Sequence, residues 1–334
     1  MNFKCCKMKC LCFVFLFWVP FLVSSQSVDS LAIKEIDSLI LVSRNLTNKY
    51  DFEKAIEVNA IAEKLALEKF GENSSSYAKI SSNFGRIYSF KGDISKSEKY
   101  FIIARDLQKS IYGHFSLQLA FTQQSLAILS EEKGDYNTAM ELYKEAQLII
   151  EKVKGKESAE YATLINSLGI LYFKLGDYEN SEKANIMAKD LREKLLGRIN
   201  LDFASSLNNL ALLYTENGNY EMAELNYLEA MSIREKLLGK EHPQYAKILN
   251  NLAILYDKLG DLEKSKNYTK IGLEIRKKIL GTNHIDYATS LNTFGAILFK
   301  MGDFEQAEKV LLEVKDIRGK LSGNEHLDYA KVLN

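Results

Sequence analysis

YAKILNNLAILYDKLGDLEKSKNYTKIGLEIRKKILGTNHIDYA, residues 245–288, decides the fold. The stretch begins and ends on the same Tyr-Ala pair, Tyr245 and Tyr287 carrying the rings, and Gly260 and Gly281 punctuate it. Both glycines belong to series that run outward through the chain without insertion. One is Gly92, Gly134, Gly176, Gly218, Gly260 and Gly302; the other is Gly71, Gly113, Gly155, Gly197, Gly239, Gly281 and Gly323. Members of each series lie 42 residues apart. A fixed period of this size marks a stacked repeat array, and two fixed turn points per period mean two helices per unit.

The apolar residues between the glycines fall at helical spacing. In the preceding unit, Leu207, Leu210, Ala211, Leu213 and Tyr214 follow the i, i+3, i+4 pattern of one buried stripe, which predicts helix A. Beyond Gly218 and Asn219, Ala223, Tyr227 and Ala230 mark the buried face of helix B. The turn glycine supplies a left-handed backbone, and Asp93, Asp135, Asp177, Asp261 and Asp303 behind it suit the start of the next helix. The first unit has Tyr50 and Asp51 at these positions and lacks the glycine. Gly85, Ala127, Gly169, Ala211, Ala253 and Gly295 keep helix A slim where two helices meet, and a larger side chain there should overpack the hairpin. The ring series Tyr77, Tyr161, Phe203, Tyr245, Tyr287 and Tyr329 reads as core, as do Tyr88, Tyr172, Tyr214 and Tyr256.

The quoted stretch resembles the 42-residue tetratricopeptide unit of kinesin light chains, a unit that also fills many bacterial exported proteins. The resemblance covers about residues 28–334. It implies an all-α fold, a right-handed superhelical solenoid of antiparallel helix pairs, whose concave surface is lined by helix A and receives peptides or protein segments. A single hairpin cannot bury its apolar faces alone, so neighbours must complete the core. Seven hairpins occupy 28–323, and 324–334 reads as the truncated start of an eighth, Asn334 aligning with Asn292 in mid-helix. The expectation is an N-terminal part of a longer protein. Some similar sequences carry a caspase-like protease or sensor kinase after the repeats, so the alternative function is the sensor or substrate-recruiting arm of such an enzyme.

The start of the chain differs in kind. Lys4, Lys7 and Lys9 precede an apolar run from Leu11 to Val23, too short for a bilayer span, so residues 1–25 read as a signal peptide cleaved before Gln26. The chain is then exported, periplasmic or secreted, with membrane anchoring by an uncleaved leader as the alternative. All four cysteines (Cys5, Cys6, Cys10, Cys12) lie in this leader, which leaves the mature chain without disulfides or a thiol nucleophile. Removing its three lysines leaves 41 basic against 44 acidic residues, a balance that excludes a nucleic-acid partner relying on a basic patch. One proline, Pro243, remains beyond the leader, as long helices require.

Transfer of the tetratricopeptide pattern places two polar series on or near the concave surface. One is Ser82, Gln124, Asn166, Asn208, Asn250 and Asn292; the other is Asn83, Ser125, Ser167, Asn209, Asn251 and Thr293. Carboxamides both donate and accept, so Asn83, Asn166, Asn208, Asn209, Asn250, Asn251 and Asn292 are the candidate peptide-binding residues. The competing reading has these amides joining adjacent helices. By the same transfer Lys79, Arg86, Lys247, Glu131, Glu216 and Asp257 flank the groove, with mixed sign and no evident clamp for terminal carboxylates.

His242, His284 and His326 also repeat every 42 residues, as a metal ladder would. They align with Ser74, Ser116, Ser158 and Asn200, residues that cap helices, and successive repeats would hold them roughly 20 Å apart against zinc bonds of about 2 Å. Capping is therefore the expectation, with no metal and no cofactor. Neither a phosphate loop, an HExxH helix nor a nucleophile elbow is present, so the chain is read as no enzyme. Glu229, Arg234 and Lys236 read as a solvated helix face.

Overall fold

The structure is a computed structural model that describes residues 19–322. The leader up to residue 18, His326, Tyr329, Gly323 and the start of an eighth unit at 324–334 lie outside the described residues. The expected cleavage point before Gln26 falls within the first helix. Among the described residues there are fourteen helices and no strand.

Two compact units divide them. The first, Met1–Asp135, contains α1 (Val19–Asn48), α2 (Phe52–Phe70), α3 (Ser75–Lys91), α4 (Ile94–Tyr112) and α5 (Leu117–Glu132). In it α1 packs on α2 and α3 on α4 as hairpins, and α1, α3 and α5 lie side by side. The second, Tyr136–Asn334, contains α6 (Tyr136–Val153), α7 (Ala159–Lys174), α8 (Tyr178–Leu196), α9 (Leu201–Glu216), α10 (Tyr220–Leu238), α11 (Pro243–Lys258), α12 (Leu262–Leu280), α13 (Ile285–Lys300) and α14 (Phe304–Ser322). Its hairpins are α7/α8, α9/α10, α11/α12 and α13/α14, and α7, α9, α11 and α13 form a row of A helices. The chain is thus all-α, with the helix-pair architecture the period predicts.

Turn chemistry explains the boundaries. Each turn glycine after an A helix is left-handed, for example Gly176 at φ +76°, and Asp177 N–H closes the turn on Tyr172 O at 2.9 Å. Tyr50, which stands where the first unit lacks its glycine, holds φ +62° all the same. The geometry of the turn overrides the side chain's preference. Ser74, Ser116, Ser158 and Asn200 cap α3, α5, α7 and α9 through their side-chain oxygens. His242 and His284 do the same with Nδ1, accepting from Gln244 N–H at 3.2 Å and Asp286 N–H at 3.1 Å. Burial holds both imidazoles below the ordinary histidine pKa, as an acceptor nitrogen requires. Among the described residues no cluster of His, Cys, Asp or Glu could hold a metal.

The core is shared between hairpins. Phe203, Leu207 and Ala211 of α9, Ala223, Tyr227 and Ala230 of α10, and Ile248, Leu252 and Leu255 of α11 form one buried cluster. Phe203 and Leu207 alone each contribute roughly 1.5–3 kcal/mol by burial, and the α9/α10 pair has to borrow α11 to obtain it. Gly169 shows why the slim position matters, because a Cβ there would come within 2.8 Å of the Asn185 side chain.

One expectation is corrected. Arg234 is buried rather than solvated, as are Arg192 and Arg276 one period to either side. Each donates through Nη1 to the second residue of the next A helix: Arg192 to Asp202 O at 2.9 Å, Arg234 to Gln244 O at 2.9 Å and Arg276 to Asp286 O at 2.8 Å. Burial pushes Arg234 down to about 10, so it remains a cation at neutral pH. The arginine stem fills the gap between hairpins while its head satisfies backbone that apolar packing would strand.

Candidate functional site

In the second unit, the A-helix surface turned away from the B helices is built from residues at i, i+4, i+7 and i+11. On α7 these are Thr163, Ser167, Ile170 and Lys174; on α9 Ser205, Asn209, Leu212 and Glu216; on α11 Lys247, Asn251, Ile254 and Lys258; on α13 Thr289, Thr293, Ala296 and Lys300. Side by side they make an aliphatic row, Ile170, Leu212, Ile254 and Ala296, next to a polar row, Ser167, Asn209, Asn251 and Thr293. All eight are half-buried except Ala296, which is exposed. At one margin Lys258 pairs with Glu216 at 3.0 Å and Lys300 with Asp257 at 2.6 Å, surface pairs of small energetic weight.

The seven candidate asparagines divide between seam and surface. Asn166, Asn208 and Asn250 are buried between neighbouring A helices. Asn166 Oδ1 accepts from Arg192 at 2.8 Å, from Ser206 at 3.3 Å and from Asn209 Nδ2 at 3.1 Å. One period on, Asn208 Oδ1 accepts from Asn251 Nδ2 at 2.9 Å. The ladder stops at α13, where Thr293 turns its hydroxyl to Thr289 O instead, and the buried Asn250 Oδ1 is left with no partner among the described residues. Asn209 and Asn251 spend one N–H on this ladder and remain half-buried on the surface, as is Asn292. Asn83 lies in the first unit, buried, donating to Ser43 Oγ at 3.0 Å and Asn59 Oδ1 at 2.8 Å.

The groove-flanking charges also take defined places. Lys79 pairs with Asp37 at 2.8 Å, Glu131 is buried, and Lys247 keeps an exposed surface. Arg86 enters a cleft of about 330 Å³ on the A-helix side of the first unit, lined by residues of α1, α3, α4 and α5. The sequence reading missed Arg44 across that cleft, although it stands one full period before Arg86 and the 42-residue spacing would have found it.

Comparison with known proteins places this geometry. The family model described as tetratricopeptide repeat matches residues 76–147, 126–194 and 202–278, and a second model of the same description matches 288–328, together well over half of the chain. Among curated proteins none matches the sequence. Of solved structures, BtubC (BKLC) from P. vanneervenii is similar at TM-score 0.53 and 24% identity, covering 70% of this chain and 91% of that one. A Rap protein complexed with competence and sporulation factor is similar at 0.62 and 16%, covering 90% and 85%. The Rap conjugation gene regulator of the plasmid pLS20, in complex with the Phr* peptide, is similar at 0.60 and 13%, covering 89% and 93%. At these identities the likeness is one of fold.

Proposed function

Because the chain belongs to the tetratricopeptide repeat family, we propose that it is a noncatalytic protein-interaction scaffold that binds a peptide or protein segment along its A-helix surface. The observation that carries this reading is the pairing of rows in the second unit. An extended peptide offers alternating side chains and backbone amides, and the surface offers an aliphatic row for the former and Asn209 and Asn251 for the latter. That two proteins of similar fold were solved with a factor or a peptide bound supports the same class of ligand.

Selection of a random linear peptide library on the full chain tests it. Enriched peptides should lose about tenfold in affinity on Asn209→Ala with Asn251→Ala, as loss of hydrogen bonds to a buried backbone implies, and should not bind Leu212→Arg with Ile254→Arg. The amide variants also cut the ladder to Asn166 and Asn208, so helicity and melting are measured alongside. Failure to enrich any peptide, or binding indifferent to both double variants, overturns the surface assignment.

We further propose that the chain is exported through its N-terminal leader, on the evidence of Lys4, Lys7 and Lys9 ahead of an apolar run. Mass spectrometry of the protein from its native host should find Gln26 as the first residue. Among the described residues no helix is long and apolar enough to cross a membrane.

A further inference from the structure

The repeats are their own control. At the position of Arg86, later units carry Ile128, Ile170, Leu212, Ile254 and Ala296 and form the same helices, so the fold does not need arginine there. Arg44 and Arg86 nevertheless occupy this position in the first two units and share one cleft. Each makes one hydrogen bond to an asparagine oxygen: Arg44 Nε to Asn83 Oδ1 at 3.2 Å, and Arg86 Nη2 to Asn48 Oδ1 at 2.8 Å. A guanidinium has five N–H donors, so most of each head is unspent. Neither arginine pairs with a carboxylate among the described residues. Arg86 is held below the ordinary arginine range by burial and by the Arg44 charge, the mark of two like charges kept together without compensation.

Aromatic surface surrounds them. The Arg86 guanidinium lies 5.4 Å from the centroid of Phe90, which is 46% exposed, and Phe121 across the cleft is exposed to the same extent. Later units place Glu132, Lys174, Glu216, Lys258 and Lys300 where Phe90 stands, and Thr163, Ser205, Lys247 and Thr289 where Phe121 stands. Phe101 closes the floor, its ring filling the space that Gly85 leaves free. Two cations and two exposed rings, at positions where the other units carry other residues, are thus gathered in one concavity.

We propose that this cleft recognises a carboxylate flanked by an aromatic side chain on a polypeptide, the Arg44 and Arg86 heads taking the carboxylate and Phe90 and Phe121 the ring. Arginine suits the task because its planar fork matches a carboxylate and tolerates partial burial. The inference rests on the polypeptide-binding reading and gives it a ligand chemistry in the first unit. The carboxylate could come from an acidic side chain or from a chain terminus, and the test distinguishes them.

Three labelled probes separate the possibilities with the full chain: acetyl-Ala-Phe-Glu-Ala-amide, acetyl-Ala-Ala-Phe with a free carboxyl end, and neutral acetyl-Ala-Phe-Gln-Ala-amide. Fluorescence polarisation should show one or both acidic probes binding at least about tenfold more tightly than the neutral one, with affinity falling as salt is raised. Arg86→Gln and Arg44→Gln should remove the preference while Arg44→Lys retains part of it, and Lys270→Gln, exposed on the B helix α12 away from both surfaces, should leave it unchanged. In parallel, 3-phenylpropionate is titrated against the arginine Nε–H signals in a ¹H–¹⁵N spectrum. If the peptides bind equally well, or the arginine variants keep the preference, the cleft assignment is overturned while peptide binding stands. If 3-phenylpropionate shifts the Arg44 and Arg86 signals but no peptide binds, the cleft takes small aromatic carboxylates and its polypeptide ligand is overturned. If neither binds, the cleft assignment is overturned, while the polypeptide reading of the second unit stands or falls on the peptide library alone.

Discussion

At the scale of single residues, glycine serves two purposes that one substitution series separates. Gly176 is required by its backbone, φ +76° with nothing within 4 Å of an added Cβ. Gly169 has ordinary helical backbone and is required by space, Asn185 lying 2.8 Å from where a Cβ would be. Gly176→Ala should cost about 1–2 kcal/mol through the left-handed conformation alone. Gly169→Ala should cost about 1–3 kcal/mol through overpacking, and Asn185→Ala should relieve that cost while doing nothing for Gly176→Ala. Urea titration of the three single variants and of Asn185→Ala combined with each glycine variant measures this, and an additive cycle at Gly169 and Asn185 would refute the steric account. The period separated the two causes in the sequence, since the position of Gly176 keeps glycine in every later unit whereas the position of Gly169 alternates with alanine, but it could not name Asn185, because a repeat states which residue recurs without stating what it touches.

Helices begin differently along the array, and pH should show it. Serine or asparagine starts α3, α5, α7 and α9, whereas α11 and α13 rely on neutral histidine. His242 is held below its ordinary pKa first by burial and then by the Arg234 charge; for His284 burial leads, and Asp286 opposes it. In the unfolded chain these imidazoles take up protons near pH 6.5, before the folded chain does. The unfolded state then holds more protons, so stability is full above that pH and is lost as pH falls from it toward the lower folded values. Hydrogen exchange between pH 7.5 and 5.5 should therefore show α11 and α13 losing protection at their first turns ahead of α7 and α9. His242→Ser with His284→Ser should abolish the difference. The capping role was legible in the alignment with Ser74 and Asn200. The buried arginines that help to keep the imidazoles neutral were not, since Arg234 reads as a surface residue until α11 is packed over it.

For the molecule as a whole, each unit is held by contacts between nearest neighbours, so damage should spread along the array from the point where it is made. Arg276 joins α12 to α13 through Asp286 O and Ser290 Oγ. Arg276→Ala should cost about 2 kcal/mol, as lost hydrogen bonds to a charged group do. It should lower exchange protection in α13 and α14 while leaving α7 to α10 at their original level, and a uniform loss across the second unit would contradict nearest-neighbour coupling. What the sequence by itself determined is the scaffold: the helix pairs, their turns, their caps and the slim positions all follow from local backbone geometry and a period of 42 residues, which any one unit already encodes. Only the tertiary structure decided what the polar residues do. Asn208 and Asn250 became seam while Asn209 and Asn251 remained surface, although the members of each pair sit next to each other in the chain. Arg44 and Arg86 came to face one cleft although a whole hairpin separates them. The reason is physical: a helical stripe fixes which side of its own helix a residue takes, whereas burial and partnership are set by the neighbouring helix that the stripe does not contain.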